Sequence, residues 1–206
     1  MIIAGAKGHA KEILQVISEL PGEIEIFLFD DISKDPPPLF NKFIVLQTEE
    51  EVKKVFEINR QFVLGIGSPN ARKTLAKKFI DWGGELTSVI STYARIGSFE
   101  VKLGSGLNLM PGSIIYNSAT VGEGSLINTC AVVHHDATVG AYCEICPSVH
   151  ILGGATVGDQ CMIGSGAKIL PRIQVGDNAI VGAGSIVNRN IPPGELWAGV
   201  PARKVK

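Results

Sequence analysis

The chain has 206 residues, a formal net charge of −1, 45% hydrophobic residues and 19% charged ones. That length allows one or two domains with real cores, and the mix belongs to a globular chain rather than a disordered one. The near-neutral balance argues against electrostatic nucleic-acid binding, and no apolar run approaches the roughly 18 residues of a membrane span.

MIIAG is a short apolar strand. No basic segment followed by a long apolar one precedes or contains it, so the start does not read as a signal peptide. The expectation is a cytoplasmic protein whose four cysteines, Cys130, Cys143, Cys146 and Cys161, stay reduced. GHAKEILQVISEL carries Ile13, Leu14, Ile17 and Leu20 at helical spacing. IEIFLFDD is a second strand, ending on Asp30 and Asp31, and the prolines at 36–38 belong to a loop. TEEEVKKVFEI predicts a helix with Thr48 as N-cap and Glu51 three residues on, the capping-box pattern. QFVLGIGSPN is a strand running into a turn, and ARKTLAKKFIDWGG a helix closed by glycine. The alternation predicts a small parallel, Rossmann-like α/β sheet over residues 1–88.

From Ile96 onward the pattern changes to period six. Leu103, Leu109, Ile115, Val121, Ile127, Val133, Val139, Ile145, Ile151, Val157, Ile163, Ile169, Val175, Val181 and Val187 are all Leu, Ile or Val. Four residues after each comes a second, usually small position: Ala119, Ala131, Ala137, Cys143, Ala155, Cys161 and Ala167 are examples. One bulky and one small inward residue per six is the hexapeptide signature of a parallel β-helix, three hexads to a triangular coil. The fifteen hexads predict five full coils, plus a partial one near Ile96 where a one-residue offset breaks phase. The second domain is placed at residues 89–206.

Within the hexad Val133–Thr138 the inward positions are Val133 and Ala137, so His134, His135 and Asp136 fall at an outward turn. A neutral imidazole accepts a proton near pH 7, and a neighbouring carboxylate fixes its tautomer. The competing reading is a solvated polar turn. Cys143 and Cys161 stand 161 − 143 = 18 residues apart, one coil, and read as buried core thiols. At the N-terminus, GAKGHAKEI follows a strand and opens a helix, where backbone amides favour an anion. It is not a full GxGxxG, so it does not predict NAD binding. Asp30 and Asp31 sit at a strand's carboxyl end, where ligands gather, or simply begin a turn; Gly67 and Asn70 carry the same ambiguity in the next strand-to-helix turn.

Four motifs taken in order, GAKGHAKEI, LFDDI, LGIGSPNARK and NTCAVVHHDATVG, with the tail AGVPARKVK, resemble a known family over nearly the whole chain. It is the group of hexapeptide acyltransferases that holds the sialic-acid O-acetyltransferases and the bacillosamine-type nucleotide-amino-sugar N-acetyltransferases. The resemblance implies a left-handed β-helix, a homotrimer, acetyl-CoA in the groove between subunits, and a nucleotide-linked amino sugar on the N-terminal domain. It implies His135 as general base, Asp136 as its orienting partner and Gly153 as an oxyanion donor. Gly5, Gly8 and His9, with Asp30, Asp31, Gly67 and Asn70, would face the sugar nucleotide. Glu144, Gly153, Ile163, Gly182, Pro201 and Lys204 would meet acetyl-CoA. The chain departs from the family at Glu144, where many relatives have a histidine, and at Ser148, where they tend to have glycine.

N-acetylation is favoured because an amine is the stronger nucleophile and a nucleotide handle suits the first domain. O-acetylation of a sugar hydroxyl and a catalytically silent sugar-nucleotide binder are the alternatives. A zinc-dependent carbonic anhydrase shares the fold, but only His134, His135 and His150 lie in the repeat. No metal is therefore expected.

Overall fold

The structure is a computed structural model that describes residues 1–22 and 24–205. Lys206, the last residue of the AGVPARKVK tail, lies outside the described residues.

The N-terminal elements are β1 (Ile2–Ala4), α1 (Gly8–Ser18), β2 (Phe27–Phe29), β3 (Val45–Leu46), α2 (Glu49–Phe56), β4 (Gln61–Leu64), α3 (Pro69–Asp81) and β5 (Glu85–Leu86). The five strands pair in parallel in the order β3-β2-β1-β4-β5. The sequence pattern foretold three of them. β3 and β5 have two residues each, too short to display an alternation.

Local chemistry sets the helices. In α2 the Thr48 hydroxyl accepts from the Glu51 amide at 3.3 Å, and the Glu51 carboxylate accepts from the Thr48 amide at 3.0 Å. Such a cap stabilises by about 1 kcal/mol. α1 buries Ile13, Leu14 and Ile17, as the spacing foretold, and Val16 besides, while Leu20 lies past the helix end and is half-buried. On the other side of the sheet Phe29, Phe56, Phe62 and Phe79 pack together, with Phe62 and Phe79 centroids 5.0 Å apart.

The second half is a left-handed parallel β-helix of three sheets. From Val89 to Val187 each strand is two residues long, and the coils stack in parallel, as in Ile115↔Val133↔Ile151↔Ile169↔Val187; the longer strands Leu196–Gly199 and Ala202–Lys204 follow. Fourteen of the fifteen hexad aliphatics are buried. Leu103, at the open end, is 36% exposed. The offset near Ile96 is real: Ile96 pairs with Ile115, a step of 115 − 96 = 19. Three residues after each aliphatic from Leu103 to Val181 the chain takes a left-handed φ, as at Ser118 (59°), Asp136 (61°) and Asn178 (59°). Side chains with a short polar arm tolerate that conformation best. Cys143 and Cys161 are fully buried, and their thiols donate to Gly158 O at 3.0 Å and Gly176 O at 3.1 Å.

One face of the prism, carrying Val89–Ile90, Asn108–Leu109, Leu126–Ile127, Glu144–Ile145 and Met162–Ile163, seats the N-terminal domain. Along it the inward residues feed the coil core. The residues before them point out, and Leu126 packs with Met110, Val89 and α1's Ile13, Leu14 and Ile17. Burying this apolar seam contributes roughly 25 cal/mol per Å² removed from water.

Candidate active site

Two separate arrangements contain the candidate residues. The first is at the carboxyl ends of β1, β2 and β4. Here Gly5, Gly8, His9, Asp30, Asp31 and Gly67 line a cleft of about 630 Å³. At Gly5 the backbone has φ +132°, and a Cβ would lie 2.6 Å from Gly65 O, so only glycine fits the crossing. α1 begins without a side-chain cap and without an acidic residue in its first turn. Its free amides are left for an anion. Asp30 closes its own turn: its carboxylate accepts from the Ile32 amide at 2.9 Å, the Ser33 amide at 3.1 Å and the Ser33 hydroxyl at 2.7 Å. Burial pushes that carboxyl up, but the Ser33 and Ile32 hydrogen bonds outweigh it and hold it below the ordinary carboxylate value. Asp31 pairs with Lys78, whose ammonium also lies over the rings of Phe29 and Trp82 at 5.1 and 4.8 Å.

Asn70 does not line this cleft. Its side-chain oxygen accepts from Gln160 at 2.8 Å, so it fastens α3 to the β-helix. Two residues on lies Arg72, fully buried, which donates to Ile66 O (2.6 Å), Gly124 O (2.7 Å) and Asn108 Oδ1 (2.6 Å). Burial pulls its guanidinium down to about 9, against the attraction of Glu144. His9 belongs to the same junction. Its Nδ1 meets Glu12 at 2.7 Å, while its Nε2 and the Asn108 amide nitrogen have no hydrogen-bond partner among the described residues. Burial holds the ring below its ordinary value, with Glu12 opposing.

The second arrangement is at the prism edge opposite the seating face, in the turn between Val133 and Thr138. His135 Nδ1 lies 2.8 Å from Asp136 Oδ2. The His135 side chain is 69% exposed, with its Nε2 edge against Gly153. A Cβ on Gly153 would come within 2.8 Å of that nitrogen, which explains the glycine on packing grounds alone. His134 does not join the pair. It stacks on Tyr116 at 5.3 Å and leans toward His150 at 5.9 Å.

The residues expected to meet acetyl-CoA do not form one group. Ile163 is fully buried, because its hexad position points inward, and its side chain cannot meet a ligand. Gly182 is covered by the C-terminal strand: its amide donates to Trp197 O at 2.8 Å, and a Cβ would lie 2.8 Å from that of Ala198. Lys204 pairs with Glu195 at 2.6 Å, and Pro201 is exposed in the turn before it. Glu144 is on the seating face, not at the His135 edge. A Cβ at Gly67 would meet its carboxylate oxygen at 2.6 Å. Burial raises the Glu144 carboxyl above its ordinary value, and Arg72 opposes the rise. Among the described residues there is no cluster of three or more His, Cys, Asp or Glu side chains that could hold a metal, and no helix long and apolar enough to cross a membrane.

Comparison with known proteins places this geometry. Residues 1–79 match the profile of the PglD N-terminal domain, and residues 136–171 and 154–189 match bacterial transferase hexapeptide repeats. PerB from Caulobacter crescentus, solved with CoA and GDP-perosamine, is 30% identical, with 100% of this chain and 96% of that one covered and a TM-score of 0.87. The chain belongs to the hexapeptide-repeat family of nucleotide-amino-sugar acetyltransferases. As a member it is an acyltransferase that uses acetyl-CoA. A perosamine N-acetyltransferase variant from Caulobacter crescentus, also with CoA and GDP-perosamine, matches at 29% identity over 100% and 96% of the two chains, with a TM-score of 0.89. The acetyltransferase domain of PglB from Neisseria gonorrhoeae, solved with acetyl coenzyme A, matches at 25% identity over 99% and 98%, with a TM-score of 0.89. No curated protein sequence matches the chain.

Proposed function

We propose that this protein transfers the acetyl group of acetyl-CoA to the amine of a nucleotide-linked amino sugar, with His135 as general base, at sites shared between copies of a homotrimer. The observation that carries the chemistry is the His135–Asp136 contact of 2.8 Å beside an exposed Nε2 edge. With Nδ1–H donated to the carboxylate, Nε2 is left as the proton acceptor. The amine attacks the thioester carbonyl and forms the C–N bond. Nε2 takes the proton that the nitrogen sheds, and the imidazolium returns it to the departing CoA thiolate. The Gly153 amide is the proposed donor to the oxyanion between these steps.

The cleft is the proposed nucleotide-sugar site, with Gly5, Gly8, Asp30, Asp31 and Gly67 around the ligand and the free amides of α1 at its phosphates. His9 and Asn70 serve it indirectly, by holding the domain on the β-helix. Topology supports the shared site: the cleft stands on one prism face and His135 on the opposite edge of the same chain. A second copy laid alongside would bring a cleft to that edge. Gly153 and Gly154 leave the edge open to the CoA arm, whereas Lys204 belongs to the sheet of the seating face and Pro201 to the turn before it.

The test follows free CoA as acetyl-CoA is mixed with GDP-, UDP- and dTDP-linked 3- and 4-amino sugars, with His135→Asn as control. Release with one amino sugar, lost in the variant, is the expected result. Release only with a sugar hydroxyl would make the protein an O-acetyltransferase, and none with either would make it a binding protein.

A further inference from the structure

We propose that Glu144 recognises the acceptor's amino group, pairing with its ammonium form where the cleft meets the β-helix, and so selects an amino sugar over its hydroxyl counterpart. This rests on the acetyl-transfer reading above and names the part of the acceptor that Glu144 contacts.

Placement comes first. Gly67 lines the cleft, and the Glu144 carboxylate rests against its α-carbon, 2.6 Å from where a Cβ would be. Any larger residue at that turn would push the carboxylate away. The turn therefore brings a charge from the β-helix to the rim of a cleft built by the other domain. A nucleotide held by the amides of α1 would extend its sugar toward this rim, since the rim is where the cleft borders the β-helix.

The carboxylate is also unpaired. Among the described residues it has no cation within ion-pairing distance, and its one side-chain donor is the Cys146 thiol, a weak one, although it is only partly exposed. Arg72 is its one cationic influence, and all three of the guanidinium nitrogens already donate elsewhere. A half-buried carboxylate with only a thiol as donor is costly unless something stronger is supplied.

Charge then selects the partner. A carboxylate cannot donate to the thioester oxyanion, and it opposes negative charge developing there. The nucleotide phosphates and CoA are anionic, which leaves the ammonium of the acceptor as the one cation among the substrates. A hydroxyl acceptor would offer the carboxylate a hydrogen bond but no opposite charge.

The experiment uses the full-length protein, wild type and the variants Glu144→Gln and Glu144→Asp. The nucleotide series that the wild type acetylates supplies two probes: the amino-sugar nucleotide, and the same compound with a hydroxyl in place of the amine. Calorimetric titration of Glu144→Gln should weaken binding of the amino compound at least about tenfold and leave the hydroxyl compound unchanged. Glu144→Asp, which keeps the charge, should restore part of the difference. A paired ammonium also releases its proton at higher pH, so the apparent pKa of kcat should be lower in Glu144→Gln than in wild type. A Glu144→Gln protein that loses affinity equally for both probes, or for neither, overturns the proposal and leaves Glu144 as a counter-charge for Arg72. Absence of turnover in the wild type with every series would instead overturn the acetyl-transfer reading on which it rests.

Discussion

Ile127, Ile145 and Ile163 stand in one column of the β-helix and perform one task three times over. Phe79 of the N-terminal domain meets Phe29 edge to face and Phe62 at a tilt, each contact made once. In the repeat, any inward aliphatic is backed by equivalents one coil away. Chemistry can therefore appear only where an outward position departs from its neighbours, as His135, Asp136 and Glu144 do. In the α/β domain each residue has one context, and Arg72 becomes decisive through contacts 52 and 36 residues distant.

The sharpest contrast lies between His135 and Arg72. Replacing the exposed His135 by asparagine should lower turnover by about 10²–10⁴-fold and leave the melting temperature unmoved. A variant at wild-type rate would remove the base. Arg72→Met should do the reverse, costing about 3 kcal/mol or more in denaturant unfolding, because three buried acceptors lose their donor together. A loss below 1 kcal/mol would mean that water or a neighbour relieves them. Within the repeat, Ile151→Val and Ile163→Val should each cost about 1 kcal/mol, and Leu103→Val, at the open end, much less. Unequal costs at the two buried sites would break the equivalence of the coils.

The smallest effect concerns His134. Burial first, then the charges of His150 and His135, hold its imidazole below the ordinary 6.5. Below 6.5 the unfolded chain binds a proton that the folded chain resists, so stability is lost as pH falls through that value. His134→Gln should therefore show a shallower drop in melting temperature from about pH 7.5 to about pH 5.5 than the wild type does. An unchanged drop would assign the acid sensitivity to other groups, His9 foremost, which burial shifts in the same direction.

The same contrast explains what was legible in the sequence. Period six is a local property, so the β-helix, its phase break near Ile96 and the outward His135–Asp136 turn could all be read from spacing. The capping box at Thr48 is equally local. Misplacements came where a family role was carried to a position whose direction the repeat had already set. Ile163 had to face inward, and Gly182 is glycine because Ala198 crosses it. The Arg72–Asn108–His9 junction was invisible because Arg72 looks like an ordinary helix-surface residue until Gly124 and Asn108 are brought to it. Asn70 read as a turn residue near a ligand, and nothing in its neighbourhood announced Gln160, 90 residues away.

The central claim is that a working site draws its cleft from one copy and its base from another. Two inactive variants test it most directly: His135→Asn, and Gly8→Trp, which fills the cleft from a position with nothing within 4 Å of its Cβ. Unfolded and refolded together in equal amounts, they should regain about one quarter of the wild-type rate, because a quarter of randomly formed neighbour pairs combine an intact cleft with an intact His135. No activity in the mixture, with both variants folded and co-assembled, would place the cleft and the base of each site in the same chain and contradict the account.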